Sequence, residues 1–557
     1  MTVPGFTTFF WLKFRSELTH GPACCYSYEK AGRIAFSAAQ EKMPMQTNNE
    51  NSRVKIAALI IAPLISISLI LFADLEPGNP GVTYTLAIAI LMAIWWITEA
   101  IPMAATAMLP VALFPLLGVV DGKTISSMYF NYLIFLFLGG FLMALAMERW
   151  DLHRRIAIKV LMFFGVSPGR ILMGFMFATA FLSMWMSNTA TTMLMIPIAL
   201  SIVYKLEEIV GDTEIRPYSI GLLLGIAYSA SIGGIATLVG TPPNLSFARI
   251  SNIIFPEMPE ITFANWLIFA IWITVLIFVS AWLLLYFMYR PRTPWKGVNR
   301  AEFRKEYQLL GKAKPEEKIV FVLFVVMALL WVFRSGFQIG SVDIPGWAQL
   351  FGNPDYINDG TVAIAVSALL FMIPSKTNRG ERIMDWETAN RLPWHIVLLF
   401  GGGFALAKGF VVSGLSLWFG KELSGLAGTD PMLLTTAVVA MMSFLTELTS
   451  NTASTEMILP ILAGMAVSIK VNPLLLMIPG TLAASLAFML PVATPPNAII
   501  FGTGRLHVID MAKTGFLLNI AGIIVTTLVT YFWGTLVFGI DVGSFPDWAT
   551  IMTKPGH

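Results

Sequence analysis

The amino-acid sequence predicts an all-α polytopic membrane protein, an inverted repeat of about eleven transmembrane helices and two re-entrant hairpins. Composition is the first ground. Of 557 residues, 56% are hydrophobic and only 12% charged, and apolar runs of about 20 residues, enough to cross roughly 30 Å of hydrocarbon, recur along the chain. Duplication is the second. Ser187-Asn188-Thr189 returns as Ser450-Asn451-Thr452, and Phe137-Leu138-Gly139-Gly140-Phe141 returns as Phe400-Gly401-Gly402-Gly403-Phe404. Both pairs lie 263 residues apart (187 to 450, 137 to 400). Downstream, Gly240-Thr241-Pro242-Pro243-Asn244 is answered by Ala493-Thr494-Pro495-Pro496-Asn497, 253 residues on (241 to 494). Three landmarks in one order make two related halves. The third ground is the placement of basic residues, which sets those halves in opposite orientations.

Residues 1–53 are polar and mixed. Phe9-Phe10-Trp11-Leu12 is too short to span, and the stretch lacks the basic-then-apolar order of a signal peptide. A disordered cytoplasmic leader is expected, with Met43 or Met45 nearer the natural start. The first repeat, 54–290, offers spans near 54–73, 83–100, 102–120 and 131–160. An interrupted pair over 170–203 follows, with Ser187-Asn188-Thr189 between its halves, and then spans near 219–245 and 262–290. A basic linker, 291–315, leads to the second repeat, 316–540. Its spans fall near 316–335, 361–374 and 394–420, followed by a second interrupted pair over 431–468 and by 473–504 and 514–540. Residues 541–557 form a tail.

Parity settles orientation. If each interrupted pair enters and leaves on one side, the chain crosses eleven times. With the N-terminus cytoplasmic, the loop holding Arg290, Arg304, Lys305, Lys312 and Lys318 then falls inside. The loops with Arg149, Arg154 and Arg155 and with Lys376, Arg379 and Arg382 also fall inside, while those near Asp74 and Asp355, and the tail, fall outside. This satisfies the positive-inside pattern. The first hairpin then opens inside and the second outside, the inverted arrangement of secondary transporters.

Three small polar residues in a row inside an apolar stretch need partners, because buried polar groups are costly unless bonded or ion-coordinating. Neutral Ser, Asn and Thr oxygens suit a sodium ion on one side and their donors suit an anion on the other. Each Pro-Pro pair removes amide donors and pushes the preceding residue away from α, so the span unwinds there. Freed carbonyls inside a membrane are tolerable where they line a protein-buried or watery cavity. No Lys or Arg lies in the hairpin tips or the Pro-Pro breaks, so an anion there would be held by amides, hydroxyls, helix starts and co-bound cations. Glu447 and Glu456 flank the second motif as possible proton-coupling groups. The preferred reading is plainer: Glu447 packs against polar scaffold and Glu456 supports the following helix by its charge. Trp95 and Trp96 read as interfacial anchors and His395 as an interfacial histidine. Glu148, Arg149, Asp151 and His153 read as an ion-paired inside helix end, and the glycine clusters as close helix contacts.

The doubled Ser-Asn-Thr motif, each copy followed by a Thr-Pro-Pro-Asn break in the next span, resembles the divalent anion/sodium symporter family. The stretches around Trp95–Pro102, Leu222–Asn244 and Leu490–Gly504 support it, and the resemblance covers residues 54–540. It implies scaffold and transport domains, an elevator-like movement, a homodimer in a bacterial inner membrane, and no cofactor besides coupling sodium ions. By position, one sodium site would use Ser183, Ser187, Asn188 and backbone at Gly240, the other Thr446, Ser450, Asn451 and backbone at Ala493. Substrate carboxylates would meet Asn188, Thr189, Asn451 and Thr452, with Thr241, Thr494 and Pro495 as floor. Both motifs are intact, which resembles bacterial carriers of succinate, malate or fumarate. The alternatives are sulfate or citrate symport, or sodium-independent exchange.

Other classes fare worse. Cys24 and Cys25 are the only cysteines and there are five histidines, too few for a disulfide framework or a zinc enzyme. No P-loop is present, no Ser–His–Asp set lies near the motifs, and a net charge of +3 does not point to nucleic acid. A channel would need a continuous polar pore, which two halves of broken helices do not supply.

Overall fold

A computed structural model describes residues 49–165, 167–291, 301–339 and 342–553. The expected leader over 1–48, part of the basic linker and the last four residues lie outside them. Among the described residues seven helices are long and apolar enough to cross a membrane: Arg53–Phe72, Pro80–Thr98, Gly122–Arg149, Thr213–Ile235, Phe263–Tyr289, Trp394–Ser413 and Val508–Val537. Met103–Leu116, Pro168–Ser183, Asp359–Met372, Pro431–Leu445 and Leu474–Ala483 are shorter apolar helices. The chain is therefore an integral, multi-pass, almost wholly helical membrane protein. One exception is a short antiparallel ribbon, Gly336–Ile339 with Val342–Pro345.

Helix starts follow ordinary signals. Asp121, Asn131, Thr262, Asn358, Asp385 and Asp430 each accept a backbone N–H of the turn they open, and proline opens the helices at Pro80, Pro168, Pro315 and Pro431. The span expected over 131–160 is in fact two helices, Tyr132–Arg149 and Leu152–Phe164, divided where Asp151 takes φ +56°. The second of these has a strongly one-sided apolar face.

Two apolar clusters fill the interior. The smaller joins Val82, Met92, Trp96, Phe114, Ile125 and Tyr129 to Leu399, Leu406 and Phe410. The larger holds most of the rest, including Phe137, Tyr228, Phe400 and Phe404. The Trp394–Ser413 helix thus has one face in each. Its glycines make both contacts possible: a Cβ at Gly402 would overlap Ala107 backbone, and one at Gly403 would overlap the Glu456 carboxyl. In the other half, a Cβ at Gly139 would lie 2.5 Å from that of Ala363, and the Gly139 carbonyl accepts Ser367 Oγ at 2.9 Å.

The tryptophans expected at the interface do different work. Trp96 is 2% exposed and donates to the Met103 carbonyl, while Trp95 donates to that of Ala58. A donor and a large ring on one side chain make them clamps between neighbouring helices. The ion-paired helix end is present in part: Arg149 bridges Glu381 at 3.0 Å and Asp385 at 2.5 Å, and Glu148 pairs with Arg391, whereas His153 is buried with Nδ1 3.0 Å from the Met147 carbonyl. Asp385 stays below the usual carboxylate range; its slight burial opposes this, but the Thr388 N–H and hydroxyl and Arg149 outweigh it.

Candidate functional site

Each Ser-Asn-Thr motif sits in the short break between two consecutive helices. The first hairpin consists of Pro168–Ser183 and Asn188–Val210, the second of Pro431–Leu445 and Asn451–Ser468. Ser187 and Ser450 are the residues just outside the outgoing helices, with extended backbone, and the Ser187 hydroxyl accepts the Ala190 N–H at 3.1 Å. Asn188 and Asn451 are therefore first helical residues, where backbone donors are unsatisfied and the dipole is positive.

At each tip three oxygens converge with one hydrogen among them. Ser183 Oγ lies 2.6 Å from Asn188 Oδ1 and 2.7 Å from the Ala230 carbonyl. In the second half Thr446 Oγ1 lies 2.7 Å from Asn451 Oδ1 and 2.8 Å from the Ala484 carbonyl. A hydroxyl has a single proton to donate, so each triad is rich in lone pairs and short of donors. Neutral oxygens grouped in this way are of the kind that can hold a cation. In the first half Gly234 is hemmed in by both Asn188 and the Gly240 carbonyl: a Cβ on Gly234 would lie 2.8 Å from Asn188 Oδ1 and 3.0 Å from Gly240 O.

The Pro-Pro pairs lie beside breaks in the helices, as the sequence suggested, but are not themselves the unwound residues. They start new helices, Pro242–Ile254 and Pro495–Phe501, where the missing amide hydrogens cost nothing. The unwound stretch lies before them. Asn244 and Asn497, both fully buried, hold it. Asn244 Nδ2 donates to the carbonyls of Gly234, Ile235 and Thr237 at 3.3, 3.2 and 2.7 Å. Asn497 Nδ2 donates to those of Ala487 and Leu490 at 3.1 and 3.0 Å. These acceptors keep the 253-residue spacing of the motifs themselves.

The halves differ in how far they unwind. The first helix stops at Ile235, but its counterpart stops at Ala483, leaving Phe488, Met489 and Leu490 outside any helix. Glu447 takes up their freed donors: its two oxygens accept all three N–H groups at 2.7–3.1 Å, and Asn519 Nδ2 donates to Oε1 at 2.9 Å. The reading of Glu447 as polar packing fits this geometry. Glu456 does not follow its expected role. It lies in the second turn of Asn451–Ser468, fully buried rather than at a helix end, and Ser246 Oγ donates to its Oε1 at 3.0 Å.

The remaining candidates spread around these tips. Thr189 is half-buried, while Thr452, Thr241 and Thr494 are buried; Pro495 is exposed. Thr494 Oγ1 accepts the Asn497 N–H at 3.3 Å, and Ala493 N–H donates to the Leu490 carbonyl as Gly240 N–H does to that of Thr237. Packing is crosswise: Asn188–Val210 lies against Pro495–Phe501, and Asn451–Ser468 against Pro242–Ile254. Each hairpin thus leans on the other half's post-break helix. A polar clamp that sequence reasoning missed secures one of these contacts. Arg505 pairs with both oxygens of Glu207, at 2.5 and 3.2 Å, and stacks over Tyr204 at 4.9 Å.

Comparison with known proteins agrees with this architecture. Residues 52–540 match the family described as "Sodium:sulfate symporter transmembrane region". A protein of Staphylococcus saprophyticus named sodium-dependent dicarboxylate transporter SdcS is 43% identical over 495 residues, 88% of this chain and 93% of that one. Its namesake in Staphylococcus aureus MRSA252 is 42% identical over 513 residues, covering 91% and 95%. Two solved transporters share the fold at low identity: MtrF of Neisseria gonorrhoeae (TM-score 0.52, 12% identity, 85% of this chain and 97% of that one) and YdaH of Alcanivorax borkumensis (TM-score 0.51, 15% identity, 80% and 98%). The match runs from the first span to the last, through both halves and both motifs, and the chain belongs to the sodium:sulfate symporter family.

Proposed function

We propose that this protein is a secondary active transporter coupling sodium flow to uptake of four-carbon dicarboxylates such as succinate, malate or fumarate. The observation that carries the reading is the twinned triad, Ser183–Asn188–Ala230 and Thr446–Asn451–Ala484, each with more lone pairs than hydrogens. Ser187, Gly240, Ser450 and Ala493 complete the two sodium sites. Two bound cations offset a dianion's charge before it crosses, since uncompensated charge is prohibitive in hydrocarbon. Asn188, Thr189, Asn451 and Thr452 present helix-start donors to the carboxylates, above Thr241, Thr494 and Pro495. The staphylococcal relatives' names support the substrate class.

The finer architecture belongs to the same proposal. The halves are inverted, the N-terminus and the linker face the cytoplasm of a bacterial inner membrane, and two protomers pair. The hairpins and post-break helices form a transport domain that moves as an elevator against a scaffold. The family's own description favours one rival substrate, sulfate. Uptake of labelled succinate into proteoliposomes under an inward sodium gradient, against a matched potassium control, decides between them. Sodium-driven accumulation that Asn188→Ala abolishes is expected. Uptake driven only by internal succinate would mean exchange, and uptake of sulfate alone would overturn the dicarboxylate assignment.

A further inference from the structure

We propose that the Glu456 carboxyl is a proton-binding site whose occupancy sets how the second hairpin lies against the Trp394–Ser413 helix. The two hairpins match residue for residue at the 263-residue spacing, and position 456 corresponds to Met193, which is 37% exposed. The hairpin fold therefore needs no carboxyl here. Yet Glu456 is 0% exposed. Its Oε1 is 3.0 Å from Ser246 Oγ, its Oε2 has no hydrogen-bond partner, and the acid packs flat against Gly403, where any side chain would overlap it.

No counter-charge compensates it among the described residues. Tyr129, the ionisable group beside it, donates to the Ala107 carbonyl at 2.6 Å. On Pro242–Ile254, Arg249 donates to Asn252 Oδ1. On Trp394–Ser413, His395 is exposed and Lys408 half-buried. On Leu415–Glu422, Lys421 pairs with Glu76 and Glu422 is exposed. Tyr84 on Pro80–Thr98 and exposed Asp547 complete the titratable groups of the packed elements. None hydrogen-bonds or ion-pairs with Glu456.

An unpaired carboxylate in such a place is prohibitive. A neutral acid is not: it keeps its one hydrogen bond with Ser246 Oγ, in which either hydroxyl can be the donor, and what is left without a partner carries no charge. A sodium ion would want several oxygens, and Ser246 Oγ is the one side-chain oxygen bonded here. The proton is the ligand this geometry takes.

The location gives the proton leverage. Glu456 lies one turn beyond Thr452, and Ser246 one turn beyond Pro242, so the bond joins the second hairpin to the first half's post-break helix. Gly403 belongs to the helix whose two faces fall in separate apolar clusters. If the hairpin withdraws from Gly403, the acid meets water and ionises. A ligand that prefers one of two conformations shifts the balance between them. The proposal rests on the transport reading only for which motion the proton biases.

Two measurements test it, and the first is independent of transport. Infrared spectra of the purified protein near neutral pH should contain the carbonyl stretch of a protonated carboxylic acid that is missing from Glu456→Gln and from Glu456→Met, the residue the first hairpin carries. Absence of any such difference overturns the site. The second follows sodium-driven fumarate uptake between about pH 6 and about pH 9, where free fumarate stays dianionic. Wild-type rates should change about fivefold across the range. Glu456→Gln, a mimic of the proton-bound acid, should run at the wild type's acid-side rate throughout. A variant profile that still follows wild type overturns the coupling. Failure of wild-type uptake with the infrared difference intact would instead strike the transport reading.

Discussion

One hydroxyl proton shared between two acceptors makes Ser183 and Thr446 sensitive to small changes. Thr446→Ser keeps the oxygen and should leave transport within about twofold of wild type. Ser183→Ala deletes one of three converging oxygens and should raise the half-activating sodium concentration about tenfold, the equivalent of ~1.4 kcal/mol. Sodium titration of uptake at saturating substrate checks both; a Ser183→Ala protein with unchanged sodium dependence would remove the first site. Much of this was legible in advance. Ser, Asn and Thr in an apolar stretch announce a polar site, and their recurrence announces two. Ala230 and Ala484 were not legible, because any residue supplies a carbonyl and only the fold decides which one arrives. Glu456 was misread because its burial depends on a glycine 53 positions earlier in the chain, a contact no helical spacing encodes.

Among elements, the unwound stretches separate the halves most clearly. The first spans Ala236–Thr241, held by Asn244; the second is longer and depends on Glu447 as well. Glu447→Gln swaps an acceptor for an amide donor opposite three N–H groups. It should cost about 2–4 kcal/mol and show as a clear drop in unfolding temperature, far more than Glu447→Asp, which keeps the charge. The Arg505–Glu207 clamp calls for a different readout. Arg505→Ala leaves a partly buried Glu207 unpaired and should lower stability by about 1–3 kcal/mol. Because the clamp fixes the first hairpin's outgoing helix, sodium should protect this variant against heating less than it protects wild type. Equal protection would show that the clamp is only structural. The sequence pattern could locate both breaks from Pro-Pro, yet set the unwound residues at the prolines rather than just before them. A proline's missing donor marks a helix boundary without saying which side of it the helix lies on.

For the molecule as a whole, apolar run lengths anticipated the membrane fold, and the duplicated landmarks anticipated the repeated hydrogen-bond networks. Finer division was missed. The 131–160 run reads as one span although the charged stretch over 148–155 interrupts it, at the point where Asp151 takes a positive φ, and the alternating Phe337-Gln338-Ile339 and Val342-Asp343-Ile344 of the ribbon are too short to stand out beside the long apolar runs. The inverted arrangement has a direct check. Single cysteines at Lys312 and Asp355, in a background lacking Cys24 and Cys25, should react with membrane-impermeant maleimide from opposite faces of oriented vesicles. Labelling from one face would collapse the parity argument and the inversion with it.

The shared proton at each hairpin tip also bears on how fast such a protein can work. On the proposed reading, an ion entering either tip would have to break the bond that the Ser183 or Thr446 hydroxyl makes to its neighbours, so its net grip would be weaker than the count of oxygens suggests. A cage that held its ion at full strength would release it slowly. The hydroxyl's competition for the same lone pairs would then trade affinity for turnover at both tips.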